Sequence, residues 1–167
     1  QQSMQFPEAT TVHMDNLRHH IEDIGPDVRA RLLVGLFLSP TAYVTGQRAR
    51  RVANGAIDRV LKDVDVLAAP TMPIVAPPIG EDLVEVDGKK MPYRLSLIRF
   101  QSCWSVVGLP VVSVPCALVE GLPAGLSLIG RRFDEATLLR AAHAFQQVTD
   151  WHERTPEGLP RVPLSGI

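Results

Sequence analysis

Residues Val106–Gly130 read VVGLPVVSVPCALVEGLPAGLSLIG, and the fold turns on this stretch. Two Gly-Leu-Pro marks, Gly108–Pro110 and Gly121–Pro123, each open an apolar run. The first run is the valine-rich Val111–Cys116; the second, Ala124–Ile129, is closed by Gly130. Short β-branched runs bounded by Gly and Pro predict buried strands rather than helix. Ala117–Glu120 between them is just long enough for a hairpin-like turn. After Gly130 the sequence RRFDEATLLRAAHAFQQVTD changes from period two to helical period. A strand pair therefore hands over to a helix, the pattern of an α/β core.

The closing helix opens at Asp134, a good N-cap residue, and Glu135 complements the helix dipole. Leu138, Ala141, Ala142, Phe145 and Val148 form its expected buried stripe. With only Gly130–Phe133 between them, this helix should pack on the strand Leu126–Ile129.

Upstream, residues 1–24 read as a polar lead-in, helical over Asp15–Ile24. His13, His19 and His20 lack a third ligand at helical spacing and read as solvated surface rather than a metal site. Gly25–Pro26–Asp27 stops one helix and starts another, whose stripe is Val28, Leu32, Leu33, Leu36 and Phe37. A longer helix follows from about Thr41 to Lys62, with the seam Val52, Ala53, Ala56, Ile57, Val60 and Leu61. Asp65–Ala69 reads as a short strand. Met72–Gly80 must be extended, because Pro73, Pro77 and Pro78 each remove a donor and restrict the preceding residue. Glu81–Met91 is a charged, weakly constrained connection with a turn signal at Asp87–Gly88. Strands near Val64–Ala69, Val111–Val114 and Leu126–Ile129 should be buried on both faces, as unbroken apolar runs imply. Residues 151–167 read as an irregular tail.

A chain of 167 residues is one domain's worth, able to bury about 70% of its unfolded surface. A net charge of -1 gives no electrostatic argument for nucleic acid or an anionic membrane. Cys103 and Cys116 are too sparse for a disulfide framework and lack metal spacing, which suggests a reducing, cytoplasmic setting. No apolar run approaches a membrane span, and the N-terminus lacks a signal-peptide pattern. The first residue is Gln rather than Met, as expected of a segment trimmed from something longer.

The letters themselves say more. Ser105–Cys116 (SVVGLPVVSVPC), Gly121–Gly130 (GLPAGLSLIG) and Phe133–Phe145 (FDEATLLRAAHAF) follow one another in order, and Val64–Gly80 (VDVLAAPTMPIVAPPIG) lies upstream. Together these blocks resemble the C-terminal part of the amidase signature family of serine amidases. The resemblance covers at least Tyr43–Asp150. It implies the C-terminal part of the amidase signature fold, a mixed β-sheet flanked by helices, with the N-terminal catalytic part absent. It also implies a parent enzyme that hydrolyses the C–N bond of a small-molecule amide, with no cofactor. The amidase-type component of a tRNA-dependent amidotransferase is the alternative within the family, and a non-catalytic interaction module is the alternative outside it. The partners implied are the amide substrate, the N-terminal part of the same protein, and a second copy if the parent is a homo-oligomer.

Family members cleave amides with a serine nucleophile, a second serine joined through a cis peptide bond, and a lysine that must be neutral to accept a proton. The serines lie in a Gly-rich loop that also supplies oxyanion donors. These 167 residues contain no Ser-Ser pair and no such loop, and their lysines are Lys62, Lys89 and Lys90. No catalytic residue is assigned by matching positions. An independent Cys-His hydrolase using Cys103 or Cys116 has no sequence cue for an activated thiol.

The resemblance does give substrate-binding candidates. Arg50 stands fourteen residues before the strand start at Val64–Asp65, matching an Arg that some relatives use to hold a substrate carboxylate bidentately. The alternative is that Arg48, Arg50, Arg51 and Arg59 form a solvated cationic face. Thr71 lies in the strand-to-Pro-Thr loop that borders the family's cleft. Gln101, Cys103 and Ser105 replace the usual Thr, Pro and Asn of the segment over that cleft; Gln101 and Ser105 are binding candidates, or else helix-surface residues with Ser96 and Ser102. Ser127 stands where Gln is typical.

Overall fold

A computed structural model describes residues 1–156 and 158 of the chain. These residues form two compact units, the first comprising 1–63 with 105–108, the second 64–104 with the residues from 109 onward.

The first unit is helical. Its elements are α1 (Gln2–Val12), α2 (Met14–His19), α3 (Pro26–Gly35) and α4 (Pro40–Asp63), with a 3₁₀ turn at Ile21–Asp23. Helix thus begins at Gln2, well before the expected Asp15, because α1 has a buried side to offer: Met4 and Thr10 are both buried. Two glycines let α1 approach closely. A Cβ on Gly35 of α3 would overlap Thr10 Oγ1 and stand 2.5 Å from Phe6 O, and one on Gly46 of α4 would stand 2.7 Å from Ser3 Oγ. Thr10 Oγ1 lies 2.6 Å from Leu32 O and 2.8 Å from Phe6 O, so its polarity is satisfied inside the contact. Glu8 ties α1 to α4 by accepting from the Tyr43 hydroxyl at 2.9 Å.

Ser39 caps α4, its Oγ accepting from the Ala42 N–H at 3.1 Å, and Pro40 takes the first helical position. The periods of α3 and α4 are as expected, but their stripes are not filled. Leu32 and Leu61 are buried, whereas Val28, Leu36, Val52 and Val60 are exposed and Phe37 is 85% exposed. The physical reason is that a periodic stripe is buried only where another element lies against it, and α1 covers only part of α3 and α4.

The second unit carries the strands. β1 (Leu67–Pro70), β5 (Leu122–Ile129) and β4 (Val111–Val119) form one sheet in the order β1-β5-β4; β2 (Leu83–Val86) and β3 (Lys89–Pro92) form a separate hairpin. α5 (Tyr93–Val107) precedes β4, α6 (Glu135–Gln147) follows β5, and a 3₁₀ turn occupies Trp151–Glu153. The α/β class holds, with antiparallel pairing throughout the described strands, so the parallel partner of a mixed sheet is not among them.

The β4–β5 hairpin is longer than the apolar runs suggested. Ala117–Val119 continue β4, and the turn is the two residues Glu120 and Gly121, with φ of 52° and 79°. Two positive φ values are what a two-residue I′ connection requires. Asp87 and Gly88, with φ of 52° and 71°, turn the β2–β3 hairpin the same way, so the supposed loose connection is ordered. The β4 register shifts between Pro115 and Ala117, a bulge at Cys116.

Period two sorts the sheet into faces. Val112 and Val114 of β4 and Leu126 and Leu128 of β5 meet Leu138, Ala141, Ala142 and Phe145 of α6, as expected of a helix following directly on β5. Val148 lies outside this core and is exposed. Gly130 is pressed against Leu138, whose Cγ would be 2.9 Å from an added Cβ. The N-cap is not made as predicted: the Asp134 carboxylate accepts from the Thr137 hydroxyl at 2.7 Å and takes no backbone N–H. Nor are all three strands buried on both faces. Only the end of β5, Ser127–Ile129, is, while β1 alternates and β4 alternates as far as Cys116, because β5 alone has strands on both sides. Arg131 fastens the strand starts, donating to Val64 O at 2.9 Å and to Asp65 Oδ1 at 3.1 Å. Of the expected irregular tail, 157 and 159–167 lie outside the described residues.

Candidate functional site

The face of the sheet opposite α6 carries a row of hydroxyls. Ser113 of β4 and Ser127 of β5 are direct cross-strand partners, and Ala69 of β1 faces Ser127 from the other side. Two residues beyond Ala69, on the same face, the Thr71 N–H donates to Gly125 O at 2.9 Å and continues the ladder. This places Thr71 Oγ1 2.7 Å from Ser113 Oγ and 2.9 Å from Ser127 Oγ. A Cβ at Gly125 would stand 2.8 Å from Thr71 Oγ1 and 2.9 Å from Ser113 Oγ, so the hydroxyls meet over a glycine.

Thr71 and Gly125 lie on the wall of an open cleft of about 930 Å³. Met72, Ile74, Tyr93 and Leu97 supply apolar wall, and Cys116 reaches it from the bulge in β4. Gln101 is exposed on α5 and touches one residue of this wall, its Nε2 donating to Met72 Sδ at 3.2 Å. Thr71 and Gln101 therefore belong to one neighbourhood of the second unit.

Arg50 and Ser105 belong to the first unit. Both are exposed and line a separate open cleft of about 520 Å³ with Glu8 and His13. Arg50 thus faces solvent within the described residues, on the same helix as the exposed Arg48, Arg51 and Arg59. Ser96, read as a surface candidate, is fully buried, its hydroxyl donating to Tyr93 O at 2.6 Å. Among the described residues no group of three or more His, Cys, Asp or Glu side chains is placed to hold a metal. No helix among them is long and apolar enough to cross a membrane.

Sequence reasoning missed Ser113 and did not join Ser127 to Thr71. The alternation within Val111–Val114 puts Ser113 on the face away from its valine neighbours. No pattern could add that Thr71, some forty residues earlier, stands opposite, because strand register is a tertiary fact.

The fold fits the reading of the letters, and comparison with known proteins settles the family. The amidase family model matches residues 5–139. The chain belongs to the amidase family. It is 40% identical over 144 residues to a glutamyl-tRNA(Gln) amidotransferase subunit of Chloroflexus aggregans, covering 81% of this chain and 28% of that protein. It is 37% identical over 153 residues to an amidase of Pseudomonas putida, covering 91% of this chain and 33% of that one. A crystal structure of an amidase superposes with a TM-score of 0.79 at 30% identity, over 85% of this chain and 33% of that one. The chain therefore spans roughly a third or less of the relatives it matches.

Proposed function

We propose that these residues are the C-terminal portion of an amidase domain whose parent enzyme hydrolyses the C–N bond of a small carboxamide. The catalytic serine, cis-serine and lysine are contributed by sequence outside this chain. The observation that carries the reading is the pairing of close family likeness with lysines of the wrong kind. A lysine that serves as a neutral base must be shielded from water, whereas Lys62, Lys89 and Lys90 are all exposed. The chain supplies the cleft wall around Thr71 and part of a sheet. A cytoplasmic setting and a homo-oligomeric parent belong to the same proposal.

The test is to assay the purified chain against aliphatic and aromatic amides, alone and as part of the full reading frame that carries a tandem-serine loop. No turnover is expected from the chain alone, since its sequence holds no tandem-serine loop to supply an activated nucleophile and oxyanion donors. Turnover by the chain alone, abolished by Cys103→Ala or Cys116→Ala, would overturn the reading.

A second reading, favoured by the likeness to an amidotransferase component, is that the parent is the amidase member of a transamidating complex. Amide hydrolysis that appears only when a partner protein of that complex is added would select it.

Within the proposed enzyme Arg50, which lines a cleft with Glu8 and His13, holds a substrate carboxylate, although its exposure on α4 equally suits a solvated cationic face. Arg50→Lys is expected to raise KM severalfold for a carboxylate-bearing substrate with little change in kcat, because lysine cannot make the bidentate contact. Unchanged KM would leave Arg50 as one member of a solvated cationic face.

A further inference from the structure

We propose that Ser113 and Ser127 are positioning residues that hold the Thr71 hydroxyl in the apolar cleft, where it hydrogen-bonds the carboxamide of a ligand with an apolar body. The carboxamide is chosen on the strength of the amidase reading; the site itself rests on the hydroxyl geometry.

A hydroxyl has one donor and two acceptor positions. Thr71 Oγ1 has two hydroxyl partners, at 2.7 Å and 2.9 Å, so one of its three positions is left over. Ser127 is 4% exposed and shielded from bulk water as an alternative partner. Its contact therefore restrains the Thr71 side chain more than an exposed serine would. Neither serine lines the cleft, whereas Thr71 and Gly125 do; Ser127 is buried and Ser113 is exposed. The Thr71 N–H is fixed as well, on Gly125 O at 2.9 Å.

The chemistry of the remaining position selects the ligand. If both serines donate to Thr71, its own proton is left to donate into the cleft. If Thr71 donates to one of them, a lone pair is left to accept. A primary carboxamide satisfies either state, through its carbonyl or its NH₂, whereas a carboxylate can only accept and a hydrocarbon does neither. Met72, Ile74, Tyr93 and Leu97 offer the rest of the ligand an apolar surface.

The experiment is an NMR titration of the 167-residue chain with benzamide, benzoate and toluene. Benzamide is expected to shift the Thr71, Met72 and Gly125 amides saturably and to bind more tightly than either of the others. Thr71→Val, which keeps the side chain's shape, should weaken benzamide about tenfold, the effect of one lost hydrogen bond. Ser113→Ala and Ser127→Ala should each weaken benzamide severalfold and leave toluene unchanged; a merely structural loss would weaken both ligands alike. Should Ser127→Ala fail to fold, Ser113→Ala at its exposed position decides the matter. Equal affinity for benzamide and toluene, or serine variants that bind benzamide as the parent does, would overturn the proposal. Benzamide binding here together with a full-length protein that hydrolyses no amide would refute the proposed function and leave this site standing. Turnover by the full-length protein without benzamide binding here would refute the site alone.

Discussion

Gly35→Ala is expected to cost the helical unit about 2 kcal/mol or more, although alanine is the better helix former by about 1 kcal/mol. The added methyl would collide with Thr10 Oγ1 and lie 2.5 Å from Phe6 O and 2.8 Å from Phe6 C. Phe6 contributes backbone inside α1, which cannot swing aside as a side chain does, so α1 has to retreat from α3. Retreat breaks the Thr10–Leu32 contact of 2.6 Å. Thr10, only 2% exposed, keeps its 2.8 Å contact with Phe6 O inside α1, so the further cost is that of one lost hydrogen bond, about 1 kcal/mol. Urea unfolding followed by helical circular dichroism measures the sum. Adding Thr10→Ala should recover little of the loss, because the Phe6 carbonyl remains in place. A Gly35→Ala protein as stable as the parent would show that α1 does not lie on α3 at this distance.

Leu138→Ala should be the most damaging truncation in the second unit, costing about 2–5 kcal/mol. Leu138 is 2% exposed and sits among Val114, Leu128 and Ala142, with Gly130 directly beneath it. Its neighbours are strand residues fixed by β4–β5 pairing, so the cavity cannot readily collapse. Phe145 is half-buried at the edge of the same cluster, and Phe145→Ala should therefore cost less than Leu138→Ala despite removing more atoms. Leu139, one position along and 62% exposed, serves as the control, with an expected change within about 0.5 kcal/mol on truncation to Ala. Thermal melts of the three variants in the order Leu138, Phe145, Leu139 of decreasing loss would support this packing. A reversed order would mean that the face of α6 has been assigned wrongly.

The elements themselves were legible in the sequence because their causes are local. The valine run after Gly108–Pro110, the Asp87–Gly88 turn and the helical period after Asp134 each express steric and turn preferences of a few adjacent residues. The Glu120–Gly121 turn was less legible. Glutamate is no turn signal for positive φ, so Ala117–Val119 read as linker although they pair with Leu122–Ala124. The helix over Gln2–Val12 was missed because its buried side is narrow, comprising Met4 and Thr10 rather than a leucine stripe.

The candidate site divides along the same line. Thr71 and Arg50 could be named from motif blocks, since a resemblance transfers single positions. Their surroundings could not be named. Val52 and Val60 obey the period of a buried seam and are nonetheless exposed, because burial requires a neighbouring element and periodicity records only a face.

By itself, then, the sequence determined the α/β class, the hairpin followed by a helix, and the family to which the motif blocks belong. All three follow from the order of residues along the chain. Only the tertiary structure decided that Ser113 and Ser127, from neighbouring strands, share one hydrogen-bonded row with Thr71, just past the end of β1. It also decided that Arg50 and Ser105 line a different cleft from Thr71. The reason is register: shifting β5 by one residue would turn Ser127 to the α6 face and put Leu128 beside Thr71. What pins the register is burial of Leu128 and Val114 against Leu138, contacts made between residues distant in the chain and so written in no local pattern.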